Sequence, residues 1–282
     1  MRDKKSHGRI AVITGAGGTL CSGIAFSVAS QGIKVVLVGR HLENISKVEK
    51  EILSAGGNAI SIQADVTSLD DVERADKIIR KEFGISDILI NGAGGNQTEA
   101  VTTIDEFSEK ELGISEDGFR GFFNLNMELF KNVIEANSMG TVIPCRVFGR
   151  GMAANGGGNI INFASMSSFR PLSRVAAYGM AKSGIAMFTQ WLAAYLAPAN
   201  IRVNAIAPGF FPNNRSRKLL CTPDGGYTDR GAKIMRQTPQ KHFGEPSDLQ
   251  GTVNFLIDNE ASGFITGIIL PVDGGFLACA GI

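Results

Sequence analysis

Three side chains in the middle of the chain have the types and the spacing of an acid–base site. Ser165 is followed thirteen residues later by Tyr178, and Lys182 comes four residues after that. Residues four apart lie on one face of a helix, so the Lys182 ammonium would lie near the Tyr178 phenol. A phenol has a pKa near ~10 and needs nearby positive charge to exchange a proton at neutral pH. Ser165 could donate a hydrogen bond to a substrate oxygen on which negative charge develops.

A glycine-rich turn near the start of the chain has the composition of a dinucleotide-binding loop. An apolar run leads directly into the segment Thr14-Gly-Ala-Gly-Gly-Thr-Leu-Cys21. Such a turn between a strand and a helix lets backbone N–H groups approach a pyrophosphate, which the helix dipole also favours. The sequence therefore predicts cofactor contacts from Gly15, Gly17, Thr19 and Leu20, with a simple tight turn as the alternative.

The ends of the following apolar runs indicate which dinucleotide is bound. An acid after the second run would bind the ribose diol, but the chain has Gly39 and Arg40 there. Because a guanidinium can pair with a phosphate, the sequence predicts NADP(H), with NAD(H) possible. Asp65 and Val66 follow the third run and are expected to contact the adenine. Asn91-Gly-Ala93, after the fourth run, would form a floor of small residues beneath the ribose.

The elements that position these residues alternate along the chain. Short β-branched runs alternate with longer helical patterns, which predicts a Rossmann-type, doubly wound α/β fold with a parallel seven-stranded sheet in a single domain. We expect the strands at 10–14, 34–38, 58–63, 88–91, 159–163, 201–206 and 268–271. We expect the helices at 20–31, 42–55, 69–82, 129–137, 141–154, 176–196 and 246–257. Two long connections, at about 96–126 and 209–243, are expected to be an inserted segment and a substrate loop.

The composition argues against several classes of partner. The chain has 282 residues, 44% of them hydrophobic, and its 28 basic and 27 acidic side chains leave a formal charge of +1. This near balance predicts no nucleic-acid partner and no membrane attachment. The cysteines form no C-x-x-C pair and the histidines match no ligand spacing, so we expect no metal and a cytoplasmic location. These residues are Cys21, Cys145, Cys221, Cys279, His7, His41 and His242.

Taken together, these features resemble the short-chain dehydrogenase/reductase family over nearly the whole chain. The resemblance implies an oxidoreductase with a nicotinamide cofactor, and it places Pro208 and Gly209 against that cofactor. It also implies association into homodimers or homotetramers, with Trp191 in the core or at an interface. The matching residues are Thr14-Gly15, Asn91-Gly-Ala-Gly, Asn137 in Asn-Ser-Met-Gly-Thr, Ser165, Tyr178, Lys182, Asn204-Ala-Ile-Ala-Pro208-Gly209 and Asp273-Gly-Gly.

The resemblance implies a catalytic tetrad of Asn137, Ser165, Tyr178 and Lys182. In that scheme Tyr178 is the general acid/base, Ser165 orients the substrate carbonyl, and Lys182 also holds the nicotinamide ribose. Asn137 would support a water that links Lys182 to solvent. Asn126, in Phe-Asn-Leu-Asn-Met, is not expected to take this role, since only Asn137 precedes the Gly-Thr that is predicted to open the next helix.

Several departures from the family pattern resemble one branch of it, the D-mannonate oxidoreductases (fructuronate reductases). Thr19 and Cys21 replace two glycines of the first turn, and Asn213 stands near where the family often has a threonine. Members of the branch interconvert a keto sugar acid and the corresponding hydroxy acid. The resemblance therefore implies D-fructuronate and D-mannonate as the small-molecule substrates.

A carboxylate substrate favours a cationic side chain, and Arg170 follows Ser165 at loop distance. The polar residues Asn96 and Gln97 are expected to contact sugar hydroxyls. Further cationic candidates are Arg174, Arg215, Arg217 and Lys218. Two other substrate assignments stay open, namely a 3-oxoacyl-[acyl-carrier-protein] reductase and a gluconate 5-dehydrogenase. A nucleotide sensor that has lost catalysis is a third alternative, against which the intact tetrad argues.

Overall fold

Seven parallel strands form one sheet in the order β3-β2-β1-β4-β5-β6-β7. The computed structural model describes residues 8–113 and 118–278, apart from the side chains of residues 214–216. Strand order reverses between β1 and β4, and ligands of doubly wound folds bind at the carboxyl ends of strands beside such a point. The predicted Rossmann-type sheet is confirmed. The strands are β1 (Ile10–Thr14), β2 (Lys34–Gly39), β3 (Ala59–Gln63), β4 (Ile88–Asn91), β5 (Gly158–Phe163), β6 (Ile201–Pro208) and β7 (Ile269–Val272).

Helices pack against both faces of this sheet. One apolar core lies between the sheet and helices α1, α2 and α8, and a second lies between the sheet and helices α3, α4 and α5. The strands contribute to both cores, which is why their sequences are almost continuously apolar. The helices are α1 (Thr19–Ala29), α2 (Leu42–Ser54), α3 (Leu69–Glu82), α4 (Met127–Ala154), α5 (Ala176–Leu196), α6 (Asn214–Leu220), α7 (Asp229–Gln237), α8 (Pro246–Ile257) and α9 (Asn259–Ser262).

Helix α4 corrects one prediction, because it runs without interruption through the two helices expected at 129–137 and 141–154. Gly140 does not end the helix; it lets α4 approach Val66, whose Cγ2 would lie 3.1 Å from an added Cβ. Pro144 removes one backbone donor inside the helix, yet the surrounding contacts keep the helix continuous. The Gly-Thr after Asn137 therefore lies within α4 and does not open a new helix.

Side chains cap two of the helix starts. The Ser68 hydroxyl accepts a hydrogen bond from the Asp71 N–H at the start of α3. Asn126 caps α4 by accepting from the N–H groups of Glu128 and Leu129. This capping contact explains an asparagine at position 126 without any catalytic role.

The segment predicted as an insertion, where it is described, folds around a buried acid. The Glu111 carboxylate accepts hydrogen bonds from the backbone N–H groups of Ser108 and Phe123, at 3.1 and 3.0 Å. A small apolar cluster, including Ala100 and Leu125, joins this segment to α4 and to the first turn of α5. The segment therefore packs directly beside the predicted catalytic tyrosine.

The region 209–243 corrects a second prediction, because it is not a loop throughout. Helices α6 and α7 lie within it, linked by a short antiparallel bridge between Cys221 and Tyr227. Thr228 caps α7 by accepting from the Gly231 N–H. Among the helices of residues 8–113 and 118–278, none has both the length and the apolar character needed to cross a membrane. Cys279, His7 and the Arg215 side chain lie outside the described residues.

Candidate active site

Tyr178 and Ser165 are brought together at the carboxyl end of β5. Ser165 follows that strand and Tyr178 lies in the first turn of α5. The two hydroxyl groups are hydrogen-bonded, and the Ser165 bond opposes the effect of burial, which raises the pKa of Tyr178. The neutral phenol therefore dominates at neutral pH in the cofactor-free protein. The predicted pairing of a proton donor with a carbonyl-orienting hydroxyl is geometrically in place.

Lys182 lies one turn further along α5, inside the protein. Only 4% of its surface is exposed, and its Nζ donates to the carbonyl oxygen of Phe163 at 2.7 Å. The same Nζ lies 5.5 Å from the centre of the Tyr178 ring. Burial lowers the pKa of Lys182 to about 8. The ammonium thus lies where positive charge favours ionisation of the neighbouring phenol.

Asn137 holds the turn that follows β4. Its Nδ2 donates to the carbonyl oxygens of Val133 and Gly95, both at 2.7 Å, and its Oδ1 accepts from the Gly95 N–H at 3.1 Å. An added Cβ on Gly94 would lie 2.5 Å from this Oδ1, so the close approach requires glycine. Asn137 is therefore a positioning residue for the Gly94-Gly95 turn. Its part in a water relay stays a prediction.

The turn after β1 has the open geometry of a pyrophosphate-binding loop. Gly15 has a φ of +67°, and an added Cβ would lie 2.8 Å from the Ala93 Cα, so only glycine fits. The Thr14 hydroxyl accepts from the Ala93 N–H at 3.2 Å and fixes the two strand ends together. In the described part of the chain, no side chain caps the first turn of α1. Its free N–H groups can therefore bind a diphosphate.

Cys21 explains how the turn tolerates the loss of a family glycine. Its Sγ lies 2.0 Å from the point that a Cβ on Gly92 would occupy. The thiol therefore fills the space that is open because Gly92 has no side chain. Burial raises the pKa of Cys21 to about 12, which keeps the thiol neutral. Thr19 and Gly17 are exposed and Leu20 is partly buried against the core. The predicted loop surface is thus preserved.

The residues predicted to contact the adenosine differ in their exposure and in the hydrogen bonds they already make. Arg40 is exposed at the end of β2. The Asp65 Oδ1 already accepts from the Thr67 N–H and hydroxyl, at 2.9 and 2.8 Å. Val66 is buried. The Asn91 Nδ2 donates into the core, to Asn162 Oδ1 at 2.9 Å and to Cys145 Sγ at 3.1 Å. The Asn91 amide therefore stabilises the strand end, and a cofactor at this edge would contact the following backbone.

Pro208 ends β6, and Gly209 follows it beside the last strand of the sheet. The Gly209 N–H donates to the Val272 carbonyl oxygen at 2.9 Å, and an added Cβ would lie 2.7 Å from the Asp273 Cα. The family motif that ends at Gly209 is therefore in direct contact with the family motif that begins at Asp273. Gly209 is required by this close approach, whatever its contact with a cofactor.

The predicted substrate residues lie on three separate segments, which follow β4, β5 and β6. Asn96 is exposed and its Oδ1 accepts from the Gln97 N–H, while Arg170 is partly buried in the turn after Ser165. Arg174 donates its Nε to Asp105, a residue that the sequence analysis did not single out. The Lys233 Nζ, on α7, lies 3.9 Å from the same carboxylate. Arg217 and Lys218 are exposed, and Arg217 pairs with Glu245 at 3.3 Å.

Comparison with known proteins identifies the family. A model of the family described as short chain dehydrogenase matches residues 9–220. The chain belongs to the short-chain dehydrogenase family. "Uncharacterized oxidoreductase UxuB" of Bacillus subtilis is 43% identical over 275 residues, which cover 98% of this chain and 97% of that one. The 2-dehydro-3-deoxy-D-gluconate 5-dehydrogenase of Escherichia coli is 32% identical over 272 residues, with 96% of each chain covered.

A solved short-chain dehydrogenase has the same fold throughout. It comes from Haemophilus influenza, is provisionally named a D-mannonate oxidoreductase, and holds bound NAD. It superposes with a TM-score of 0.92 at 40% sequence identity, covering 98% of this chain and 97% of that one. The protein is thus an oxidoreductase that acts on CH–OH groups of small molecules with a nicotinamide cofactor. In residues 8–113 and 118–278, no three His, Cys, Asp or Glu side chains group into a metal site.

Proposed function

We propose that the protein interconverts a hydroxy sugar acid and its keto form, D-mannonate and D-fructuronate. The observation that carries the reaction type is the Ser165–Tyr178 hydrogen bond with the Lys182 ammonium beside the ring. The substrate class is supported by the Haemophilus structure at 40% identity and by the Escherichia coli sugar-acid dehydrogenase at 32%.

The residues present fit a nicotinamide dinucleotide. The open first turn of α1 offers N–H groups to a diphosphate, and Gly15 packs directly against the Ala93 backbone where the ends of β1 and β4 meet. Lys182 is a buried cation, and one of its three N–H groups donates to the neutral Phe163 carbonyl. The other two N–H groups could donate hydrogen bonds to ribose hydroxyls. When bound, the nicotinamide accepts or supplies the hydride.

Tyr178 exchanges the proton with the substrate oxygen. During oxidation its phenolate takes the proton of the substrate hydroxyl as the C–O bond becomes a carbonyl, and during reduction the phenol returns it. Ser165 donates a hydrogen bond to the same substrate oxygen and stabilises its developing charge. Lys182 lowers the cost of the phenolate through its positive charge. Asn137 keeps the Gly94-Gly95 turn in place through its two hydrogen bonds to Gly95.

A panel of substrates tests the assignment. Purified protein is given D-mannonate, D-gluconate or a 3-hydroxyacyl thioester, each with NAD⁺ and NADP⁺, and reduced nicotinamide is followed by absorbance. We expect turnover of D-mannonate in preference to the others. Turnover of D-gluconate alone would retain the assigned site and indicate a gluconate 5-dehydrogenase. Turnover of the thioester alone would retain the site and indicate a 3-oxoacyl-[acyl-carrier-protein] reductase.

We propose that Arg40 favours NADP(H) over NAD(H). Arg40 is exposed and follows Gly39, so no carboxylate occupies the place of a 2′-phosphate at the end of β2. Arg40→Ala is expected to raise the KM for NADPH about tenfold and to change the KM for NADH less than about twofold. Lys47→Ala, at an exposed position of neighbouring α2, serves as the control. Equal effects of Arg40→Ala on both cofactors would contradict the preference.

We propose that copies of the chain associate through an apolar face of α5. Met180, Met187, Trp191 and Tyr195 are between 56% and 67% exposed, and the last two rings stack at 5.0 Å. Trp191 is therefore not in the core of the chain. Trp191→Asp should at least halve the particle mass measured by light scattering, because it places a charge in the apolar contact. Leu53→Asp, an exposed apolar residue of α2, is the matched control. An unchanged mass for Trp191→Asp would contradict this interface.

A further inference from the structure

The entry to helix α5 determines where Tyr178 lies. Val175 occupies the N-cap position, and its apolar side chain has no oxygen that could accept from the first-turn N–H groups. The second turn is fixed directly, because the Ser168 hydroxyl donates to the Lys182 carbonyl oxygen at 2.7 Å. The first turn, which carries Tyr178, therefore depends on other contacts for its position.

Arg174, directly before this N-cap, is anchored twice to the segment that follows β4. Its carbonyl oxygen accepts from the Thr102 N–H at 3.1 Å, and its Nε donates to Asp105 Oδ1 at 2.5 Å. The Ser173 hydroxyl also donates to the Asp105 carboxylate. The Lys233 ammonium lies 3.9 Å from Asp105 Oδ2, a longer contact than that of Arg174. The Asp105 carboxylate therefore binds the turn that leads into α5.

The same segment also packs beside Tyr178. Ala100 and Ala177 are buried in one apolar cluster, against which Tyr178 packs. Residues 100–105 thus run alongside residues 174–178, with contacts at both ends. A displacement of the turn before α5 would therefore reach the phenol within about one helical turn.

The backbone conformation of Arg174 shows that the turn is held by its contacts. Arg174 has a φ of +74°, a left-handed conformation that is unfavourable for a residue other than glycine. Such a conformation persists only where surrounding contacts fix it, and here Thr102 and Asp105 supply hydrogen bonds. The Arg174 hydrogen bond also holds the pKa of Asp105 below its ordinary value, so the pair stays charged at neutral pH.

We propose that Arg174 is a positioning residue, which together with Asp105 fixes Tyr178 opposite Ser165. The inference rests on the proposed function, because it assumes that Tyr178 exchanges the proton. Proton exchange depends on geometry, since a displacement of about 1 Å can lower a rate by roughly 10²-fold. The two side chains of the pair are 32% and 44% exposed, so the pair itself adds little to the free energy of unfolding.

The first test separates rate from binding and from stability. Asp105→Ala removes the carboxylate and keeps the residue at position 174. It is expected to lower kcat for D-mannonate about tenfold and to change KM less than about threefold. The Tm should shift by less than about 3 °C. Arg80→Gln is the matched control, because it removes a short ion pair with Asp76 on α3, and it should change none of these values.

The second test measures the turn itself in cofactor-free protein. The Gly179 N–H donates to the Val175 carbonyl oxygen at 2.9 Å, in the first turn of α5. Amide hydrogen exchange at residues 179–182 should be faster in Asp105→Ala and in Arg174→Gln than in the wild type. Because both variants remove the same pair, the double variant should lose no more kcat, and exchange no faster, than either single variant.

Three results would overturn the inference. The first is an additive loss of kcat in the double variant, and the second is wild-type exchange at residues 179–182 in both single variants. The third is a raised KM for D-mannonate with an unchanged kcat in Arg174→Gln, which would make Arg174 a contact of the substrate. If the wild-type protein oxidised no sugar acid, the proposed function would fail, while the exchange measurement would still decide whether the pair fixes the turn of Tyr178.

Discussion

Replacing Tyr178 with Phe is expected to lower kcat by about 10²- to 10⁴-fold while the cofactor dissociation constant changes less than about threefold. The substitution removes the one oxygen that is hydrogen-bonded to Ser165 and keeps the ring, which packs beside the Ala100–Ala177 cluster. Binding should persist because the dinucleotide contacts of the β1–α1 turn are unaffected. The measurements are steady-state kinetics and a fluorescence titration with reduced nicotinamide cofactor.

Tyr195→Phe is the matched control, since it removes a phenolic oxygen from an exposed position of the same helix. It should leave kcat within about twofold of the wild-type value. Retention of activity in Tyr178→Phe would contradict the assignment of the proton to this residue.

Lys182→Met is expected to abolish most activity and to change how stability depends on pH. The pKa of Lys182 in the folded protein is about 8, against an ordinary value of 10.5. Below pH 8 the lysine is protonated in both states. Between about pH 8 and 10.5 the unfolded chain holds this proton and the folded chain does not, so the free energy of unfolding rises with pH. The pKa difference corresponds to about 3 kcal/mol for this one group.

The measurement is urea unfolding of cofactor-free protein at several pH values from 7 to ~10.5. The wild-type protein should gain stability relative to Lys182→Met over this range, because the variant has no proton to release. kcat should fall by about 10²-fold or more in the variant, since the phenolate loses its neighbouring charge. Lys131→Met, at an exposed position of α4, controls for the loss of a lysine. Parallel stability profiles for wild type and Lys182→Met would refute the buried-lysine account.

The residues that were predicted best are those whose spacing in the sequence already determines their relative positions in the structure. Tyr178 and Lys182 are four residues apart on a helix, and α5 has the predicted limits because its apolar period is unbroken. The glycine turn after β1 was also evident, since strand, turn and helix are consecutive. In these cases the chemistry depends on neighbours in sequence, which a pattern can show.

Other features depend on tertiary contacts and were predicted less well. Helix α4 continues through Gly140 because the glycine packs close to Val66, a contact that no local propensity encodes. Asn137 holds Gly95 across 42 residues of sequence, so its hydrogen bonds could not be inferred from its motif. Asp105 and Arg174 are 69 residues apart and carry no shared pattern. The contact between them is therefore visible only once the segments are folded together.

The most direct test of the account is D-mannonate-dependent reduction of the nicotinamide cofactor by wild-type protein and Tyr178→Phe, measured side by side. The account predicts saturable turnover by the wild type and its loss in the variant, with cofactor binding retained in both. A wild-type protein that binds the cofactor but does not oxidise D-mannonate would contradict the proposed function, and equal rates in both proteins would contradict the proposed site.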